Sequence, residues 1–96
     1  MKPSEAFAQH RDTIRRLVLE SGMTNPRLFG SALHGDDIEG SDLDILIDAP
    51  PKTSLFTIIK VQLALEDHIG IRVDLLTPED LPLKFRGRVL AEAIHV

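Results

Sequence analysis

The stretch LDILID, residues 43–48, constrains the fold more than any other part of this sequence. Side chains of a β-strand point alternately to its two sides. One side of this strand would be wholly apolar and would carry Leu43, Ile45 and Ile47. The other side would carry Asp42, Asp44, Leu46 and Asp48. The stretch therefore predicts a sheet with one face in the core and carboxylates on the opposite face.

Helical and strand patterns alternate along the 96 residues, which predicts an α/β fold in one domain spanning residues 1–96. The predicted helices run from Ser4 to Ser21, from the cap Ser54 to Ile69, and from Lys84 to Glu92. The predicted strands are Arg27 to Phe29, Leu43 to Asp48, residues 71–77 and residues 93–96.

Capping signals set the ends of these elements. We expect Ser4 and Ser54 to begin helices, Gly22 and Gly70 to stop them, and Thr77 to cap a turn that starts at Pro78. The predicted inward stripe of the long helix consists of Leu55, Ile58, Ile59, Gln62, Leu65 and Ile69.

The bulk composition is that of an ordinary globular domain, with 43% apolar and 27% charged residues. The net charge of −4 argues against nonspecific nucleic-acid binding, which relies on a basic surface. Cysteine is absent, so disulfides and thiolate metal sites are excluded. The sequence has no apolar run of membrane-spanning length and no apolar signal-peptide core near its start, so we expect a cytoplasmic protein.

Three aspartates stand out because they border or interrupt apolar strands. Asp42 and Asp44 lie at the head of the strand at 43–48, and Asp74 lies in the middle of the strand at 71–77. A charge in such a strand is costly unless it is paired or bound to a metal. Converging carboxylates repel one another, and a divalent cation relieves that repulsion. Oxygen ligands suit Mg²⁺ or Mn²⁺, and two such ions ~4 Å apart can activate an attacking oxygen and stabilise a leaving one.

Structural explanations remain open for the same acids. Asp42 follows a turn and could simply cap or solubilise it. An ion pair with Arg27 or Arg72 is the competing explanation for Asp44 and Asp74, the two acids inside the strands. Asp48 stands next to the sequence APP and is interpreted as a turn residue.

Gly30 and Ser31 follow the short predicted strand directly. A glycine at a strand exit lets the backbone approach a ligand closely, and a helix that begins near Ser31 would offer free N–H groups to a phosphate. An ordinary turn with a helix cap is the alternative explanation of this dipeptide.

The spacing of these residues carries a family resemblance. Gly30-Ser31, ten further residues, Asp42-Leu43-Asp44 and the later Asp74 resemble the signature of nucleotidyltransferases similar to DNA polymerase beta. The segments SDLDILID, SLFTIIKVQLALEDHIGIRVDLLTPEDL and RVLAEAIHV resemble, in that order, the minimal nucleotidyltransferase branch, often called MNT or MntA-like proteins. The resemblance covers about residues 10–96.

This resemblance implies a small mixed β-sheet with helices packed on it, and a reaction that transfers a nucleoside monophosphate from ATP or another NTP to a hydroxyl. It implies that Gly30 and Ser31 hold the triphosphate and that Asp42 and Asp44 bind two Mg²⁺ ions. Asp74 would join one of these ions and help to deprotonate or orient the attacking hydroxyl.

Members of this branch are commonly antitoxins that are paired with a HEPN-domain toxin ribonuclease, and some of them add AMP to a toxin tyrosine. The resemblance therefore implies a HEPN toxin as partner and AMP transfer as the activity. Two alternatives stay open: an antitoxin that neutralises its toxin by binding only, and a nucleotide-binding regulatory module that transfers nothing.

One position departs from the family pattern. Many members carry Arg-Gly at the fourth and fifth residues after the glycine of the Gly-Ser pair, and here these residues are His34 and Gly35. Arginine is charged at every physiological pH and can bind phosphate through two parallel hydrogen bonds, whereas histidine can be neutral. This departure leaves the affinity for the triphosphate open and allows for a weakened enzyme.

Overall fold

Helices and strands alternate along the whole chain in the computed structural model, which describes residues 1–96. The helices are α1 (Pro3–Glu20), α2 (Ser31–His34), α3 (Leu55–Ile69) and α4 (Leu83–Glu92), with a 3₁₀ turn at Pro78–Asp80. The strands are β1 (Thr24–Phe29), β2 (Leu43–Asp48), β3 (Val73–Leu76) and β4 (Ile94–His95).

The four strands form one mixed sheet in the order β3-β2-β1-β4. Strand β1 is antiparallel to both β2 and β4, whereas β2 and β3 are parallel. Parallel neighbours need a long crossover, and α3 provides it between β2 and β3. The expectation of a small mixed sheet with packed helices is confirmed.

The main core lies on the sheet face that carries the apolar side of β2. Leu43, Ile45 and Ile47 are fully buried there against α1 and α3. The opposite face is covered only in part, where Leu46 packs with Phe29 and with Leu81 of the segment before α4. The predicted alternation along β2 is therefore confirmed, and it leaves the aspartates of this strand on the less covered face.

Most predicted element ends agree with the structure. Strand β2 has the predicted bounds, and α3 begins after Ser54, whose hydroxyl accepts a hydrogen bond from the N–H of Thr57. Gly70 ends α3 in the left-handed conformation, as Gly22 does after α1. The terminal strand and the short helix that starts at Ser31 are also present.

Three predictions about local structure are wrong. Helix α1 is capped by Lys2, and Ser4 instead lies in the first turn, where its N–H donates to Oδ2 of Asp37 at 2.7 Å. Strand β1 starts at Thr24 because a bulge, with Asn25 at φ 54°, accommodates the proline inside the strand.

No helix of the chain combines the length and the apolar character needed to cross a membrane.

The inward stripe of α3 was the third error. Leu65 and Ile69 of the predicted stripe are buried, but Leu55 and Ile59 are 69% and 40% exposed, and the buried Val61 was left out of the prediction. Residues four apart lie on one side of a helix, and this side packs on α1 and the sheet. The pattern of apolar residues was too continuous to show which side of the helix faces the core.

Candidate active site

Gly30 brings the end of β1 against the aspartate of the neighbouring strand. Phe29, the last residue of β1, pairs with Asp44 of β2, and the chain then turns at Gly30 with φ 77° and ψ −152°. A Cβ atom at Gly30 would overlap the carboxylate of Asp44. Only glycine fits here, and the contact fixes the start of α2, and with it Ser31, beside this carboxylate.

Asp44 and Asp74 stand directly beside each other in the parallel pair β2–β3. Burial is the main cause that raises the pKa of Asp44 to about 6, and the charges of Asp74 and Asp42 add to it. The pKa of Asp74 is also raised, first by burial and then by the charges of Asp42 and Asp80. The structure therefore places uncompensated negative charge on the open face of the sheet.

Asp42 precedes β2 and lies close enough to act on the pKa of both other aspartates. Its carboxylate is exposed and faces Arg72, with Nε of Arg72 3.1 Å from Oδ1 of Asp42. Nη2 of Arg72 also donates to the carbonyl oxygen of Gly40 at 3.1 Å. Arg72 thus holds the segment that carries Asp42 from two points.

The ion-pair explanation does not apply to the two aspartates inside the strands. Arg27 pairs with Asp48 at 2.8 Å and Arg72 pairs with Asp42, so neither arginine is bonded to Asp44 or Asp74. Asp48 is the last residue of β2 and the partner of a buried arginine, so its interpretation as a turn residue was wrong.

The residues present fit a divalent cation by their chemistry. The available donors are carboxylate oxygens, which are the ligands that Mg²⁺ and Mn²⁺ prefer. No positively charged side chain is among the causes that shift the pKa of Asp44 or Asp74. No group of three or more His, Cys, Asp or Glu side chains is close enough together in the structure to hold a metal ion. The pairing of Asp42 with Arg72 turns one of the three predicted ligands towards a different partner.

A cavity of about 340 Å³ opens beside Gly30, between α2 and α4. Its apolar walls are formed by Phe29, Leu33, Leu81 and Val89, among others. Its charged or ionisable walls are His34, Arg88 and Glu92, and Nε2 of His34 lies 3.1 Å from Oε2 of Glu92. The sequence did not predict this cavity, because no local spacing shows that α4 returns to the end of β1.

Residues 25–96 match the family described as polymerase beta, nucleotidyltransferase. The chain belongs to this nucleotidyltransferase family. The match includes Gly30, Ser31 and the three aspartates, so the acidic face and the glycine contact lie within the family domain. The resemblance inferred from the spacing of these residues is confirmed.

Two relatives of this nucleotidyltransferase are described as protein adenylyltransferases. MntA of Thermococcus cleftensis is 36% identical over 75 residues, which are 78% of this chain and 76% of that protein. A proposed protein adenylyltransferase of Methanocaldococcus jannaschii is 31% identical over 80 residues, which are 83% of this chain and 86% of that protein.

Solved structures show the same fold. A proposed minimal nucleotidyltransferase matches with a TM-score of 0.84 and 33% identity, covering 97% of this chain and 95% of that chain. A second match is a chain in the complex of a tri-AMPylated Shewanella oneidensis HEPN toxin with an MNT antitoxin. Its TM-score is 0.70 at 17% identity, and the match covers 92% of this chain and 69% of that chain. This match shows a likeness of fold.

Proposed function

We propose that this nucleotidyltransferase is a Mg²⁺-dependent antitoxin that transfers AMP from ATP to a tyrosine hydroxyl of a HEPN-domain toxin. The observation that carries the proposal is the juxtaposition of Asp44 and Asp74 in adjacent strands, with Gly30 packed against Asp44. The adenylyltransferase names of the relatives favour AMP as the transferred group, and the fold shared with an MNT antitoxin favours a HEPN toxin as acceptor.

The proposed reaction is a single displacement at phosphorus. The tyrosine oxygen forms a bond to the α-phosphorus of ATP, the bond from that phosphorus to the pyrophosphate oxygen breaks, and pyrophosphate leaves. The hydroxyl proton passes to the carboxylate of Asp74. Asp74 stands beside Asp44 in the adjacent strand, so its carboxylate lies on the acidic face where the attacking hydroxyl would be held.

Gly30 and Ser31 would bind the phosphates through the backbone at the start of α2. The contact between Gly30 and Asp44 holds this segment at a fixed place relative to the acidic face, and such transfer depends mainly on positioning and charge neutralisation. Asp42, Asp44 and Asp74 would hold Mg²⁺, which when bound neutralises phosphate charge and stabilises the leaving pyrophosphate. Asp42 would have to exchange its contact with Arg72 for the cation.

The test is the intact mass of the cognate toxin after incubation with ATP, Mg²⁺ and this protein. We expect the toxin to gain one or more AMP masses, and peptide mapping to place them on tyrosine. Asp44→Asn should abolish the gain in toxin mass. Asp48→Asn changes an aspartate of the same strand that pairs with Arg27, and it should leave the gain in toxin mass unchanged.

Three outcomes would contradict the proposal. An unchanged toxin mass, with the toxin still inhibited in the complex, would show an antitoxin that works by binding only. Full neutralisation by an Asp42→Asn, Asp44→Asn double variant would lead to the same conclusion. Undiminished transfer by the Asp42→Asn and Asp44→Asn single variants would remove these two carboxylates from the mechanism.

A further inference from the structure

The cavity between α2 and α4 shares Gly30 with the acidic face of the sheet. Helix α4 lies over the same face as Asp44, because Val89 and Ala93 pack on the cluster formed by Phe29 and Leu46. A ligand that extends from Asp44 past Gly30 would therefore enter the cavity.

Arg88 is the one permanently charged cation that lines this cavity. Its guanidinium makes no ion pair with any carboxylate of the chain and lies 5.5 Å from the centre of the Phe85 ring. The other basic wall, His34, is already engaged with Glu92 at 3.1 Å. Arg88 is thus oriented by an aromatic ring and has its donors free for a ligand.

We propose that Arg88 binds the polyphosphate chain of the nucleotide and supplies the fixed positive charge that His34 does not. This inference rests on the proposed function, because it concerns the same nucleotide. Guanidinium groups bind phosphate oxygens through two parallel charge-assisted hydrogen bonds, which are among the stronger hydrogen bonds in proteins. With Arg88 on one wall and the acidic face on the other side of Gly30, the triphosphate would lie between a cation and the metal-binding carboxylates.

Glu92 makes the opposite contribution to the same cavity. Its carboxylate would repel phosphate oxygens, and its Oε2 lies 3.1 Å from Nε2 of His34. Arg88 and Glu92 are four residues apart on α4, so they lie on the same side of this helix. Neutralising each of them should therefore change polyphosphate affinity in opposite directions.

The experiment is titration calorimetry with inorganic tripolyphosphate, and separately with adenosine, in the presence of Mg²⁺. Arg88→Gln should weaken tripolyphosphate binding by about tenfold or more and leave adenosine binding unchanged. Arg88→Lys should retain part of the affinity, because it keeps the charge and loses the paired geometry. Glu92→Gln should tighten tripolyphosphate binding.

Lys84→Gln is the matched control. Lys84 is basic, lies on the same helix and contacts the same Phe85 ring at 5.7 Å, but it does not line the cavity. It should change tripolyphosphate affinity by less than about twofold. Equal losses in the Arg88 and Lys84 variants would overturn the inference, as would a loss confined to adenosine, which would show that the cavity holds the nucleoside. Wild-type protein that binds no tripolyphosphate would overturn it as well.

Enzyme kinetics separate this inference from the proposed function. In Arg88→Gln the KM for ATP should rise with little change in kcat, and the thermal unfolding midpoint should match that of the wild type. If wild-type protein transfers AMP and Arg88→Gln has an unchanged KM, only the inference about Arg88 fails. If wild-type protein transfers no AMP while Arg88→Gln still loses tripolyphosphate affinity, only the proposed function fails.

Discussion

Gly30 lies so close to the carboxylate of Asp44 that a single added carbon at Gly30 would overlap it. The contact joins two parts of the site that are fourteen positions apart in the sequence, the start of α2 and the acidic face of β2. The backbone segment proposed to bind phosphate and the carboxylate proposed to bind a cation are therefore in direct contact. The relative position of these two groups is set by packing and does not depend on a bound nucleotide.

Gly30→Ala should lower both the stability and the activity of the protein. The new methyl group would displace the Asp44 carboxylate, and the φ of 77° with ψ of −152° disfavours any residue with a Cβ atom. We expect a loss of about 2–4 kcal/mol in the free energy of unfolding. Chemical denaturation measures the stability, and toxin mass measures the activity.

Gly35→Ala is the control for a positive φ alone. Gly35 has the same φ of 77°, but nothing lies within 4 Å of its added Cβ. Its cost should be about 1 kcal/mol, without loss of transfer. Similar costs at the two glycines would show that the contact with Asp44 is not what makes Gly30 necessary.

The stability of the metal-free protein should fall as the pH rises towards neutrality. The folded pKa of Asp44 is about 6 and its ordinary value is 3.8, so the folded state binds the proton more tightly. The stabilising contribution is fully present below the ordinary value and is lost as the pH rises through the folded pKa. In the presence of EDTA, Asp44→Asn should therefore be more stable than wild type at neutral pH.

Solvent screening reduces the stability difference between Asp44→Asn and the wild type, because the carboxylate of Asp44 is only half-buried. We expect about 1–2 kcal/mol at neutral pH, and no difference below about pH 4. Denaturant titrations at several pH values measure it. Added Mg²⁺ should stabilise the wild type more than Asp44→Asn. A wild type that is at least as stable as the variant throughout would contradict the assigned repulsion.

Arg72→Gln should increase the affinity for a divalent cation. The change releases Asp42 from its 3.1 Å contact and removes a positive charge from the neighbourhood of the acidic face. We expect Mn²⁺ to bind about fivefold more tightly, as measured by titration in the absence of nucleotide. Arg16→Gln, which breaks an exposed pair with Glu20 on α1, should leave the affinity unchanged. Weaker Mn²⁺ binding in the Arg72 variant would show that Arg72 supports the site.

Asp48→Asn should destabilise the protein and leave the site intact. Arg27 is buried, its guanidinium pairs with Asp48 at 2.8 Å, and its Nε has no partner at all. Weakening this pair should cost about 1–2 kcal/mol in the free energy of unfolding. Asp12→Asn, which breaks an exposed pair on α1, should change it by less than about 0.5 kcal/mol. Loss of AMP transfer in a folded Asp48→Asn protein would place Asp48 in the site.

The parts of the fold that the sequence predicted well depend on local rules. The alternation along β2 determines which of its residues enter the core, and the capping serine and the glycine at the two ends of α3 determine its length. Placing Asp44 and Asp74 on the same face needed only the strand period and the family signature. Their adjacency in register required the parallel pairing of β2 with β3, which the structure supplies.

The parts that the sequence did not predict depend on contacts between distant segments. Several acidic side chains could pair with Arg27 or Arg72. Only the three-dimensional arrangement decides that Arg72 pairs with Asp42 and that Arg27 pairs with Asp48. Strand β1 contains a proline, which normally limits a strand, and a bulge accommodates it. The sequence shows the proline plainly but gives no comparable sign of the bulge. The cavity beside Gly30 likewise exists only because α4 folds back over the sheet.

Helix α4 contributes a wall of that cavity although none of its residues is fully buried. It is held at its start by hydrogen bonds from Arg86 to the carbonyl oxygens of Glu79 and Leu81, and at its end by the two-residue strand β4. A segment with so few buried contacts opens at a lower free energy than the core. Its amides should therefore exchange with solvent sooner than those of β2, and a bound nucleotide would slow that exchange. A helix without a buried residue would thus report directly whether the site is occupied.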